Sequence, residues 1–185
     1  MMEPSWEEHL KGVLASSRRL AVVGVGQELR GDDAAGVILV RRLCEDRSDP
    51  AETQSPPDSP LYPAPTLSDT EPPAARWYFE AGSLPEASAG PLRRFRPDWV
   101  LFLDAAELGE PPGCVRWIDP VQLEGDSPGT HTFPMSGFSA YLESELGCHV
   151  AILGIQSKQM EFDTPVSEEV RSAVDRIARI FGASA

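Results

Sequence analysis

Two acids and one imidazole are the side chains of this chain best placed to do chemistry together. Asp33 follows a glycine-punctuated turn, Gly24-Val25-Gly26-Gln27-Glu28-Leu29-Arg30-Gly31, and falls in the first turn of an expected helix. Asp104 closes the apolar run Trp99-Val100-Leu101-Phe102-Leu103. His131 stands in the loop Gly129-Thr130-His131-Thr132-Phe133-Pro134, ahead of another helix. Two carboxylates and an imidazole suit a divalent ion such as nickel or zinc, with coordination positions left open for substrate. Each residue also has a purely structural reading. Asp33 favours a helix N-terminus through the dipole, Asp104 can cap the turn after its strand, and His131 can be a solvated loop residue. Spacing alone does not bring the three together; strand order has to.

Other chemistries fit less well. Gly24-Val25-Gly26 after a strand is how a dinucleotide fingerprint begins, but Gly31 is wrongly spaced for it. Asp32 and Asp33 at the helix start would also repel a pyrophosphate. There is no GxSxG nucleophile elbow. Cys44, Cys114 and Cys148 form no CxxC pair, and Cys44 and Cys148 read as structural thiols. His9 reads as a solvated helix residue and His149 as a satisfied strand residue.

The elements that must position the acids alternate along the chain. Glu3 to Ser16 reads as a short polar helix, part of an N-terminal helical extension over 1–19. The continuous apolar run Leu20 to Val25 suits a strand buried on both faces. Asp32 is a good N-cap for a helix with Val37, Val40 and Leu43 on one side. Glu45 to Ala75 is crowded with Pro, Ser, Asp and Glu and reads as a loosely packed insertion. Trp77 to Ala81 reads as a second strand, and Ser83-Leu84-Pro85-Glu86 as a capping box opening a helix that ends near Arg94. Trp99 to Asp104 is a third strand. Cys114 to Ile118 is a weaker fourth strand, suited to a sheet edge. Phe138, Tyr141, Leu142 and Leu146 mark a helix after Ser136, and His149 to Ile155 a fifth strand. Thr164-Pro165 opens a last helix with Val170, Val174, Ile177 and Phe181 on one face. This alternation predicts one α/β domain over 1–185, a three-layer sandwich with a mostly parallel five-stranded sheet. Ligands of such sheets sit beyond the carboxyl ends of the strands, where both acids fall.

Composition excludes several classes. The 185 residues carry a net charge of −13, which argues against binding a nucleic-acid backbone. No apolar run approaches the roughly 20 residues that span a bilayer. Met1 to Arg19 holds no apolar core of a signal peptide. The sparse, odd set of cysteines suggests a reducing compartment, so a cytoplasmic location is expected.

The order of motifs resembles one family. The segment Val23 to Gly36 resembles the opening motif of the hydrogenase maturation proteases. Phe79-Glu80-Ala81-Gly82-Ser83 is similar to their second-strand acid-Gly-Gly motif, and Leu103-Asp104-Ala105 to their third-strand Val-Asp-Ala. Thr130-His131-Thr132-Phe133-Pro134 is similar to their Thr-His-x-x-Pro loop, and Leu153-Gly154-Ile155-Gln156 to their late-strand motif. The last two look closest to the branch that serves formate-hydrogenlyase hydrogenases. The resemblance runs from about Leu20 to Phe181, interrupted by the Pro-rich insertion. It implies an endopeptidase in which Asp33, Asp104 and His131 hold metal. It implies a partner, the nickel-iron hydrogenase large-subunit precursor, from which a C-terminal peptide is removed. It also implies that nickel is supplied by that precursor, with other divalent metals able to substitute. Three departures stand out: Gln27 replaces an Asn, Glu80 an Asp, and Ala81 a Gly. Glu80 is a candidate assisting acid. A monomer is expected. The reading that rivals this one is a metal-sensing or escort module that binds a nickel-loaded protein without cutting it.

Overall fold

A computed structural model describes residues 4–45, 75–120 and 132–183. Five strands form one sheet: β1 (Arg19–Val25), β2 (Ala75–Gly82), β3 (Trp99–Ala106), β4 (Val115–Ile118) and β5 (His149–Gln156), in the order β2-β1-β3-β5-β4. All neighbours run parallel except β4, which lies antiparallel on β5 at the edge. The helices are α1 (Trp6–Ser16), α2 (Ala35–Glu45), α3 (Ala89–Phe95), α4 (Thr132–Leu146) and α5 (Glu168–Gly182).

Alternating strand residues feed two cores, because successive Cβ atoms point to opposite faces. Leu20 and Val22 of β1, Leu101 and Leu103 of β3, and Leu153 and Ile155 of β5 pack with α1, α2 and α5. Ala21, Val23, Val100, Phe102, Val150 and Ile152 pack with α3 and α4 on the other face. A sheet covered on both faces explains why these strands read as unbroken apolar runs. The result is the three-layer α/β sandwich that the alternation predicts.

Several ends differ from expectation. The first helix begins at Trp6 rather than Glu3, because Ser5 caps it: its hydroxyl accepts from the Glu8 N–H while Glu8 accepts from the Ser5 N–H at 2.7 Å. Its residues Leu10, Val13 and Leu14 are buried in the main core, so it is an integral layer element. His9 is half-buried and stacks on Trp117 at 5.4 Å, not solvated as expected. No capping box forms at Ser83: Leu84 precedes a 3-10 turn, Pro85–Ser88, without a side-chain cap. Proline still begins that turn, where its missing N–H costs nothing. The last helix is capped by Ser167 instead of Thr164-Pro165. The fourth helix starts at Thr132, four residues before Ser136, with Pro134 tolerated in its first turn. Of the expected insertion, 46–74 lies outside the described residues.

Candidate functional site

In this strand order β2 and β3 flank β1 on opposite sides. The chain therefore leaves the sheet in opposite directions after β1 and after β3, which opens a crevice at their carboxyl ends. Asp33 arrives there from the loop after β1, and Asp104 from the end of β3.

Close backbone contact brings the two acids to this point. A Cβ on Gly36 would stand 2.0 Å from the Leu103 carbonyl and 2.4 Å from that of Val25. A Cβ on Gly24 would meet the Gly36 carbonyl at 2.4 Å. These two glycines let the start of α2 settle directly on β1 and β3. Gly26, at φ 129°, lies where a Cβ would collide with the Asp33 carbonyl at 1.7 Å. Only glycine fits that approach. The loop thus folds back, and the Gln27 N–H donates to the Asp33 carboxylate at 3.0 Å.

Asp33 and Asp104 are near enough to repel. Loss of water around Asp104 pushes its carboxyl up to about 7, the neighbouring charge of Asp33 pushes the same way, and a hydrogen bond from the Ala105 backbone opposes both. Desolvation and a like charge both disfavour the second negative charge. A divalent cation placed between them would remove that repulsion. By strand alternation Asp104 belongs to the face covered by α3 and α4, in step with Phe102. In α4, Phe138 packs on Phe102 while Leu142, further along, lies against Cys148 just ahead of β5, so the helix runs back along the sheet from its carboxyl side, on the same face as Asp104. His131, the residue before that start, lies outside the described residues. Among the described residues no group of three or more His, Cys, Asp or Glu side chains is arranged to hold a metal.

The adjacent acid, Asp32, does something else. It is fully buried, and its carboxylate accepts from the backbone N–H groups of Lys158 at 2.7 Å, Gln159 at 3.1 Å and Ser167 at 2.6 Å, and from the Ser167 hydroxyl at 3.0 Å. It ties the start of α2 to the loop between β5 and α5. The expectation that it caps its own helix is therefore corrected: a 3-10 turn, Gly31–Ala34, precedes α2, and the carboxylate is spent on another segment.

Glu80 is not brought to Asp104. On β2 it is in step with Tyr78, which packs into the α1–α2–α5 core, so it belongs to the opposite face of the sheet. There both of its oxygens accept from Arg41 of α2, Nε at 2.9 Å and Nη2 at 2.8 Å. Arg41 also donates to Glu28 in the glycine loop.

Gln156, which ends β5, has a role that the sequence did not disclose. Its buried side-chain oxygen accepts from the N–H groups of Leu108 at 2.6 Å and Glu110 at 3.2 Å, and its NH2 donates to Glu107 at 3.0 Å. It fastens the loop that follows Asp104. A glutamine closing an apolar strand was the available signal. Cys148 is buried, its thiol lying 3.6 Å from the Leu142 carbonyl, and burial pushes it up to about 11. That is no thiolate nucleophile.

An open α/β sheet with paired acids at its switch point defines a class of domain whose ligands bind beyond the carboxyl ends of the strands. Comparison with known proteins narrows the class. The family model for hydrogenase maturation protease matches residues 69–183, and the chain belongs to that family. A Methanocaldococcus jannaschii relative, named for the same family, is 29% identical over 171 residues, 92% of this chain and 90% of its own. The hydrogenase 3 maturation protease of Escherichia coli K12 is 27% identical over 155 residues, 83% of this chain and 82% of its own. The crystal structure of a NiFe hydrogenase maturation protease from Thermococcus kodakarensis has the same fold, with a TM-score of 0.74 over 95% of this chain and 97% of that one, at 24% identity. Among the described residues, no helix is long and apolar enough to cross a membrane.

Proposed function

We propose that this protein is an endopeptidase that recognises nickel already installed in the precursor of a nickel-iron hydrogenase large subunit and removes a C-terminal peptide from it. The observation that carries the reading is the Asp33–Asp104 pair at the switch point, with the Asp104 carboxyl pushed up to about 7. Such a pair is destabilised by its own charge and gains most from a cation. Metal and proton compete for it. Membership of the protease family supports the substrate.

Asp33, Asp104 and His131 are the ligands in this reading. One imidazole and two carboxylates suit nickel or zinc and leave positions open for substrate. Chain continuity supports His131, because α4 starts one residue later on Asp104's face of the sheet. The metal is the substrate's own, and bound there it would supply Lewis-acid polarisation of the scissile carbonyl. The protein's contribution is placement. The Gln27 N–H holds Asp33, β3 holds Asp104, and the glycine contacts seat the start of α2 on β1 and β3. All three cysteines are free, which supports a reducing compartment such as the cytoplasm.

The test is mass spectrometry of a hydrogenase large-subunit precursor co-expressed with and without this protein in nickel-replete cells. Loss of a C-terminal peptide is expected only with the protein present, and abolished by Asp33→Ala, Asp104→Ala or His131→Ala. Processing that survives Asp104→Ala and His131→Ala would refute the metal site. A precursor that co-purifies uncut would assign the protein to escort duty instead.

A further inference from the structure

We infer that Arg41 is a positioning residue, a forked clamp joining Glu80 at the end of β2 to Glu28 in the glycine loop, and that Glu80 acts on the site through Arg41 rather than on substrate. The inference rests on the protease reading for its catalytic consequence, and on the geometry alone for the clamp.

The contact of Gly24 with Gly36 and with Val40 brings α2 down onto β1. Arg41, next along the helix, therefore reaches the flanking strand β2. Glu80 pairs in register with Gly24, and the next β1 residue, Val25, pairs with Gly82, so Ala81 is an extra residue in a bulge. Bulges of this kind re-aim side chains at strand ends. From here Glu80 offers both oxygens to Arg41, while the second partner of Arg41, Glu28, stands beside Gln27, whose N–H holds Asp33. The chain of contacts runs from β2, through one guanidinium, to the loop that fixes a proposed ligand. A planar five-donor fork can satisfy two carboxylates at once, which a lysine ammonium does less specifically. The single positive charge of Arg41 also offsets half of the negative charge that Glu28 and Glu80 bring together. Exposed ion pairs add little to global stability, so the effect of this one is local.

The experiment compares Arg41→Gln, Glu80→Gln, the double variant and Arg41→Lys with the wild-type chain. Amide hydrogen exchange over residues 27–30 is expected to quicken about five- to tenfold in each single variant, the scale of losing one charged network, while exchange in β1 stays unchanged. In precursor cleavage the two single variants lose kcat by a similar factor with little change in KM, and the double variant is no worse than either, as for residues acting as one unit. Arg41→Lys, which keeps the charge and loses the fork, stays impaired. Unchanged exchange in Arg41→Gln, or an Arg41→Lys indistinguishable from wild type, overturns the clamp. A Glu80→Gln far slower than Arg41→Gln, with one limb of the pH profile gone, overturns it too by making Glu80 a direct acid. If the wild-type protein cuts no precursor, the protease reading fails while hydrogen exchange still decides the clamp.

Discussion

Asp32 and Asp33 are adjacent acids, and replacing each with alanine should produce opposite phenotypes. The Asp32 carboxylate is fully buried and accepts four hydrogen bonds, three from backbone N–H groups and one from the Ser167 hydroxyl. Hydrogen bonds to a charged group are each worth about 1.5–3 kcal/mol. The sum overstates the loss, because the loop relaxes and water reaches some of the orphaned donors. Removing one partner of a buried charged network costs about 3–5 kcal/mol in measured cases. For a chain of this size each kcal/mol moves Tm by about 2–4 °C, so Asp32→Ala should lower Tm by roughly 6–20 °C. Asp33 accepts one backbone hydrogen bond from Gln27, and its loss relieves the repulsion on Asp104. Because that bond is exposed to solvent, its loss costs only about 1 kcal/mol and is partly compensated, so Asp33→Ala should change Tm by no more than about 3 °C while precursor cleavage stops. Circular-dichroism melting paired with the cleavage assay reads both. A Tm for Asp32→Ala within 2 °C of wild type, or a fall for Asp33→Ala as large as for Asp32→Ala, would refute this division of labour.

Three further outcomes follow from single features. Because the Asp104 carboxyl titrates at about 7 in the folded protein and near 4 when unfolded, its contribution is present below pH 4 and lost as pH rises through 7. The Tm of Asp104→Asn should accordingly rise relative to wild type between about pH 4 and 7 and then level off; a flat or opposite difference would count against the buried pair. Gly36→Ala places a methyl 2.0 Å from the Leu103 carbonyl, and overpacking of about 1–3 kcal/mol should exceed the helix-propensity gain of about 1 kcal/mol, so melting should show a lower Tm; an unchanged Tm would mean α2 can move away. Cys148, buried with a thiol raised to about 11, should resist iodoacetamide at pH 8 in the native state, and mass spectrometry that finds it rapidly alkylated would contradict its burial.

Much of the architecture was already legible along the chain. Runs such as Val100 to Leu103 are apolar at every position because both sheet faces are covered, and local composition carries that signal. Alternation of such runs with helical periodicity predicts the three layers and the mostly parallel sheet. The weak pattern of Cys114 to Ile118 matched an edge strand, and it is the antiparallel one. Helix ends were less legible. Ser5 and Ser167 cap where Glu3 and Thr164 were expected to begin helices, because caps depend on one hydroxyl reaching one N–H, which several nearby residues could do.

For the site, residue types and order alone singled out Asp33 and Asp104, and motif resemblance supplied the family. Only the tertiary structure showed what Asp32 does, since nothing in the dipeptide says that its carboxylate will meet the N–H groups of Lys158, Gln159 and Ser167, 126 to 135 residues away. Only the strand order β2-β1-β3 put the switch point between the two acids. Only the face of β2 decided that Glu80 meets Arg41 and not Asp104. The physical reason is common to all three. A sequence specifies local periodicity through short-range sterics and burial, whereas the partner of a charged side chain is chosen by which distant segments the packed cores bring within hydrogen-bond reach.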